Sequence, residues 1–277
     1  MDKKTDLDLI AHYFKERFAK RWENFYPDHE YWRDIFKVFP SQHSQETDVE
    51  LKLPGLAPVS HQDASEQKVT DYVHKSYDFG FSLSEDEARE GWTSSLENHC
   101  NRLFHHMIHV RENAAAAVFD DILASPKFEK NRQNTVFSRQ AYEKAVISLG
   151  KVKESSGLYA ALKPTMLMVP ADLQFEVHKQ IPREYFYHGG VNVVIHPYLK
   201  NPSAWFLITD APDGFKCFER QKPDVSVFVA KDESLFLHDK PNPDFKPEII
   251  FKISARYSFG CTNPNAVFAS TGEGESK

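Results

Sequence analysis

Long hydrophobic runs are missing from this chain. Its apolar stretches are short and broken by charges, and none approaches the roughly 20 residues needed to span a bilayer. No membrane helix is expected. Cysteine is scarce: Cys100, Cys217 and Cys261 are widely spaced and odd in number, which argues against a disulfide framework and fits a reducing compartment. Basic clusters are lacking too. The 34 lysines and arginines are scattered among 40 acidic residues, for a net charge of −6, whereas a protein that grips nucleic acid through its phosphates needs a basic stripe. There is no P-loop, G-x-S-x-G elbow, dinucleotide fingerprint or Cys-x-x-Cys pair. The opening Met1-Asp2-Lys3-Lys4-Thr5-Asp6 leads into a charged amphipathic segment, so a signal peptide is not expected.

What is present is an ordinary globular composition. With 277 residues, 41% apolar and 27% charged, the chain can bury a substantial core in one large or two modest domains. Leu9-Ile10, Tyr13-Phe14, Phe18, Trp22 and Phe25 recur at helical spacing within residues 6–37. Tyr31-Trp32 and Ile35-Phe36 follow Pro27. So much terminal aromatic surface needs a cover, either the chain's own domain or a neighbouring subunit. Val49-Glu50-Leu51-Lys52-Leu53 alternates as a half-exposed strand does, and Pro54-Gly55 ends it. With Val69 to Tyr77 it forms a long hairpin around a polar tip, and an isolated hairpin is only marginally stable.

Ser84-Glu85-Asp86-Glu87 is a capping-box signature. Beyond it Trp92, Leu96, Cys100, Leu103, Met107, Val110, Ala114, Val118 and Ile122 keep a three/four spacing up to Ser125-Pro126. This predicts a single helix of about 40 residues, roughly 60 Å long. A second helix starts near Ser138, with Tyr142, Ala145, Leu149 and Val152 on one face, and a third covers Ala171 to Gln180. The rest, to about Phe245, reads as strands and turns. Ile249, Phe251, Ile253, Ala255, Tyr257 and Phe259 then share one strand face. Helices and antiparallel-type strands are partly segregated, which makes the fold class α+β.

The sharpest enzymatic signal is His105-His106-Met107-Ile108-His109. His105 and His109 have the spacing of zinc proteases, but His106 stands where the general-base glutamate of H-E-x-x-H belongs. Even with His99 added, no carboxylate or cysteine completes a tetrahedral set. A histidine-metal hydrolase stays open only as a minor alternative. Asp210 and Asp213, flanking Pro212, read as turn formers. No catalytic residue, cofactor or metal is expected.

One ordered set of segments carries more information. Lys163-Pro164-Thr165-Met166-Leu167-Met168-Val169-Pro170 precedes Val191-Asn192-Val193-Val194-Ile195-His196-Pro197. Ala204-Trp205-Phe206-Leu207-Ile208-Thr209-Asp210 follows, and the series closes on Arg256-Tyr257-Ser258-Phe259-Gly260 and Val267-Phe268-Ala269-Ser270. This order resembles tailed-phage major capsid proteins, specifically the Mu-type major head subunits with the Hong Kong 97-like fold. The likeness is strongest from Lys163 onward and weakest over the first 60 or so residues. It implies an N-terminal arm (1–37), an extended β-hairpin loop (38–83), a peripheral domain with a long spine helix (84–154), an axial domain (155–245), and a return strand with C-terminal tail rejoining the peripheral domain (246–277).

The implied function is structural, not enzymatic. Hexamers and pentamers of the chain form an icosahedral head that encloses double-stranded DNA without reading its sequence, in a virion assembled in the host cytoplasm. Separate scaffolding, portal and decoration chains are the expected partners. Phe18, Trp22, Phe25 and Trp32 of the arm, with Leu51 and Leu53 of the loop, are the candidate inter-subunit contacts. Cys261 departs from relatives that carry a larger residue there. The arm is too short for an internal scaffolding domain, and no lysine–asparagine pair for covalent cross-linking is identified. An encapsulin-like compartment is the alternative within the same fold.

Overall fold

The computed structural model describes residues 3–25, 30–43, 45–52, 65–153, 159–181, 190–212, 214–230 and 246–274, with backbone only at 3–5, 48–52 and 65–70. The chain divides into two compact units. The first comprises Met1–Glu30, His74–Arg111 and Glu219–Tyr257; the second comprises Tyr31–Val73, Glu112–Phe218 and Ser258–Lys277.

Its elements, in order, are α1 (Lys3–Phe25), β1 (Lys37–Pro40), β2 (Gln45–Lys52), β3 (Ser65–Val73), β4 (Lys75–Ser84), α2 (Glu85–Arg89), α3 (Ser94–Ala124), β5 (Arg132–Gln133), α4 (Arg139–Gly150), β6 (Pro164–Val169), α5 (Gln174–Gln180), β7 (Asn192–Ile195), β8 (Trp205–Thr209), β9 (Phe215–Val229), β10 (Glu248–Cys261) and β11 (Val267–Ser270). Helix and sheet are mixed. Strands form one sheet in the order β1-β9-β10-β4, a second in the order β5-β11-β8-β6-β7, and the two-stranded hairpin β2-β3.

In the first unit, β4 runs antiparallel to β10 from Ser84↔Glu248 to Lys75↔Tyr257. Ile249, Phe251, Ile253, Ala255 and Tyr257 are buried in strict alternation, as a sheet with one covered face requires. α1 buries Leu7, Ala11, Phe14, Phe18 and Trp22, a single stripe at helical spacing. Phe18 stacks on Phe104 of α3 at 5.1 Å and meets Phe251 of β10 edge-on at 5.3 Å.

The expected single helix of about 40 residues is two helices. Ser84 caps α2 with both halves of a capping box: its hydroxyl accepts from the Glu87 N–H, and the Glu87 carboxylate accepts from the Ser84 N–H. The helix stops five residues later, where Gly91 adopts φ +83° just past the C-cap, a position that strongly favours glycine. α3 restarts at Ser94 and runs 31 residues, roughly 46 Å.

The second unit's five-stranded sheet is mixed. β6 pairs parallel with β7 and antiparallel with β8, and β11 pairs antiparallel with β8 and parallel with β5. β8 and β11 are buried along their whole length, so both faces of the sheet are covered and the strands read as continuous apolar runs. On one face α4 and α5 contribute Ala141, Tyr142, Ala145, Leu149 and Val177 to a core shared with Leu167, Val169, Trp205, Leu207 and Phe268. α4 starts at the expected Ser138, whose hydroxyl accepts from Ala141 N–H. The C-terminal stretch 246–277 is thus shared between two sheets, β10 lying in one and β11 in the other.

Candidate functional site

No group of three histidines, cysteines or acidic residues is arranged to hold a metal ion among the described residues. His105 and His109 lie on exposed positions of α3. The His105 ring meets Phe25 edge-on at 4.6 Å, and His106 meets Phe79 at 4.4 Å. These imidazoles cap aromatic side chains of α1 and β4. The Asp210 carboxylate accepts from Lys163 N–H at 2.9 Å while Asp210 N–H donates to the Lys163 carbonyl, just past the end of β8, where the sequence reads a turn former; Asp213 lies outside the described residues. All three cysteines are buried and free. Burial pushes the Cys100 and Cys261 thiols up to about 12, which keeps them protonated and unreactive.

Two buried polar features stand out. Arg111 of α3 and Glu219 of β9 form an ion pair at 2.5 Å, both almost fully buried, and the guanidinium lies over the Tyr257 ring at 5.3 Å. In the second unit His196 is fully buried. Its Nδ1 accepts from Tyr198 N–H at 3.3 Å, which puts the ring proton on Nε2, and the rings of Tyr31 and Tyr198 face it at 5.3 and 6.0 Å. Burial pulls its pKa down to about 4. Both features lock the fold, and neither opens to a substrate.

The remaining candidates are surfaces. Of the expected contact residues, Phe18 and Trp32 have no exposed surface and Trp22 keeps 8%. Trp32 meets Phe259 edge-on at 5.4 Å within the second unit. The aromatic stripe is therefore covered by the chain's own body, the first of the two possibilities its sequence left open. Phe25 is half-buried, 5.3 Å from Phe104. Leu51 falls on β2, but its side chain and the whole of Leu53 lie outside the described residues. The apolar side chains that α1 does leave outward are Leu9, 65% exposed, and Tyr13.

The second unit leaves Ile147, Tyr159 and Phe175 exposed, Phe175 at 80%. The sequence singled out none of these. Phe175 was legible in principle, since it stands two residues from buried Val177 and so turns to the opposite side of α5. Among the described residues no helix is long and apolar enough to cross a membrane.

No family model matches the chain, and no curated protein matches it by sequence. Solved structures do match. The virus-like particle protein of Pyrococcus furiosus aligns over 94% of this chain and 98% of its own, with TM-score 0.57 and 11% identity. The capsid of cyanophage P-SCSP1u covers 87% and 88%, at TM-score 0.56 and 6% identity. The holo-SrpI encapsulin complex of Synechococcus elongatus covers 86% and 85%, at TM-score 0.55 and 8% identity. The fold thus resembles that of phage capsid, virus-like particle and encapsulin shell proteins.

Proposed function

We propose that this chain is the major capsid subunit of a tailed-phage head of the Mu type, assembling through hexamers and pentamers around double-stranded DNA. The observation that carries the reading is the end-to-end fold likeness to shell subunits, 94% of this chain against 98% of the virus-like particle protein. The ordered segments from Lys163 to Ser270 support the phage head in particular, since their order resembles that of Mu-type head subunits.

In this reading residues 1–37 act as the arm, 38–83 as the overlapping loop with Leu51 and Leu53, 84–154 and 246–277 as the peripheral domain with α3 as its spine, and 155–245 as the axial domain. Arm contacts to neighbours fall to the outward residues Leu9 and Tyr13 and to half-buried Phe25, while Phe18, Trp22 and Trp32 hold the surface in shape. Assembly proceeds by heterologous contacts that close when the rotation permits. Each contact is modest, and engaging many at once multiplies their effect. Scaffolding, portal and decoration functions belong to separate chains, and the virion is built in the host cytoplasm.

An encapsulin-like compartment is the second reading, favoured by the likeness to the holo-SrpI encapsulin over 86% of the chain. Negative-stain microscopy of the expressed chain, with and without its genomic neighbours, tests both. Closed particles that need neighbouring phage genes and package DNA support the phage head. Particles that form alone around a protein cargo support the compartment, and no closed particles under any condition overturns both.

A further inference from the structure

Strand β4, ten residues long, closes its sheet on one side and has no neighbour beyond it among the described residues. The opposite side is guarded differently. β1 has only four residues against fifteen in β9, and β9 carries Arg220, Lys222 and Pro223 along its length. Charges and proline are how open edges turn away added strands. β4 has no proline, its lysine, Lys75, stands at its first position, and its one carboxylate, Asp78, is held by Lys252 at 2.9 Å on the same sheet. One edge is defended and the other is left fit for pairing.

From this asymmetry we propose that β4 pairs antiparallel with β4 of a second copy, across a two-fold axis at Gly80. The proposal rests on the shell-forming reading, of which it names one contact. An isologous contact must be complementary to itself, and the order Ser76-Tyr77-Asp78-Phe79-Gly80-Phe81-Ser82-Leu83-Ser84 within β4 has that property. About Gly80, Phe79 faces the second copy's Phe81, Tyr77 faces its Leu83, Asp78 its Ser82 and Ser76 its Ser84.

Tyr77, Phe79, Phe81 and Leu83 are half-buried while Ser76, Asp78, Gly80, Ser82 and Ser84 are exposed. Pairing would cover the open halves of the apolar set with aromatic and aliphatic cross-strand partners, the strongest such pairs. Gly80 suits the axis. It carries no side chain, so two backbones can approach closely there.

The test uses the full-length chain. Separate D78C and S82C variants are mixed and mildly oxidised, and a disulfide dimer is expected in the mixture but in neither variant alone, because like positions would lie about 14 Å apart. No dimer in the mixture, or equal dimer in the single variants, overturns the register. Alongside it, S82D sets two carboxylates against the second copy's Asp78 and should weaken association about tenfold, while S82K should not. Equal association of the two overturns the contact.

Both sites are exposed on the monomer, and unchanged circular dichroism verifies folding. Full particle yield from S82D with no mixed dimer contradicts this pairing alone. A mixed dimer from a chain that never closes particles upholds the pairing and contradicts the shell reading.

Discussion

The two units solve the same packing problem in opposite ways. In the second unit both faces of a five-stranded sheet are covered, and its inner strands β8 and β11 are buried throughout. In the first, β10 alternates buried with half-buried positions and β4 half-buried with exposed ones, and β4 ends the sheet with no partner beyond it among the described residues. A closed sheet spends its apolar surface on stability within the chain. An open one retains a row of backbone donors and acceptors that another strand can pair with. The second unit is a finished core, and the first is half of a contact.

The comparison is sharpened most by truncation in the finished core. Trp205 is fully buried between Phe137 and Phe268, and its indole N–H donates to the Thr135 carbonyl at 3.0 Å. That carbonyl also accepts from Ser270 Oγ at 2.7 Å, so Trp205→Ala leaves no orphaned acceptor and costs the cavity alone, about 3–5 kcal/mol in urea denaturation. Trp22→Ala in the first unit should cost somewhat less, about 3 kcal/mol, because its site is open at one side. A Trp22→Ala loss under ~1 kcal/mol would show that α1 is not part of the monomer core.

Removing one partner of the buried pair comes next. Arg111→Met strands the Glu219 carboxylate and should cost about 3 kcal/mol or more, while Arg111→Met with Glu219→Leu should recover most of it. Equal losses in the single and double variants would break the account of this pair as a mutual lock.

Acid should then separate the units. His196 in the second unit titrates near 4 when folded, below the ordinary histidine value of about 6.5. Between these values the unfolded chain binds the proton and the folded one does not, so stability is full above about pH 6.5 and falls as pH drops towards 4. The fall amounts to about 3 kcal/mol. His196→Asn should flatten that limb of a stability-against-pH curve, and an unchanged slope would contradict the assignment. The smallest effect belongs to Ser84→Ala, which removes the capping box of α2 and should cost about 1 kcal/mol.

Much of this was legible in the residues. The alternation from Ile249 to Phe259 gave β10, the Ser138 cap gave α4, and unbroken apolar runs gave β6, β8 and β11. Those signals are local. The break between α2 and α3 was missed because Trp92 and Leu96 keep the apolar rhythm across Gly91, and only its positive φ ends the first helix. The division of the expected strand Val69–Tyr77 at His74, with β3 in a hairpin and β4 beside β10, depends on partners far along the chain. So does the pairing of Arg111 with Glu219, 108 positions apart. The burial of Phe18, Trp22 and Trp32 was one of two readings that helical spacing allowed, because spacing marks a stripe without naming what covers it.

The central claim is that this 32.0 kDa chain builds closed shells from copies of itself. Sedimentation velocity of the purified full-length chain, alone and co-expressed with its genomic neighbours, tests it most directly. The account predicts a discrete, fast-sedimenting population of megadalton particles in at least one of these preparations. A single species near 32.0 kDa in every preparation, at every concentration and salt, would contradict it.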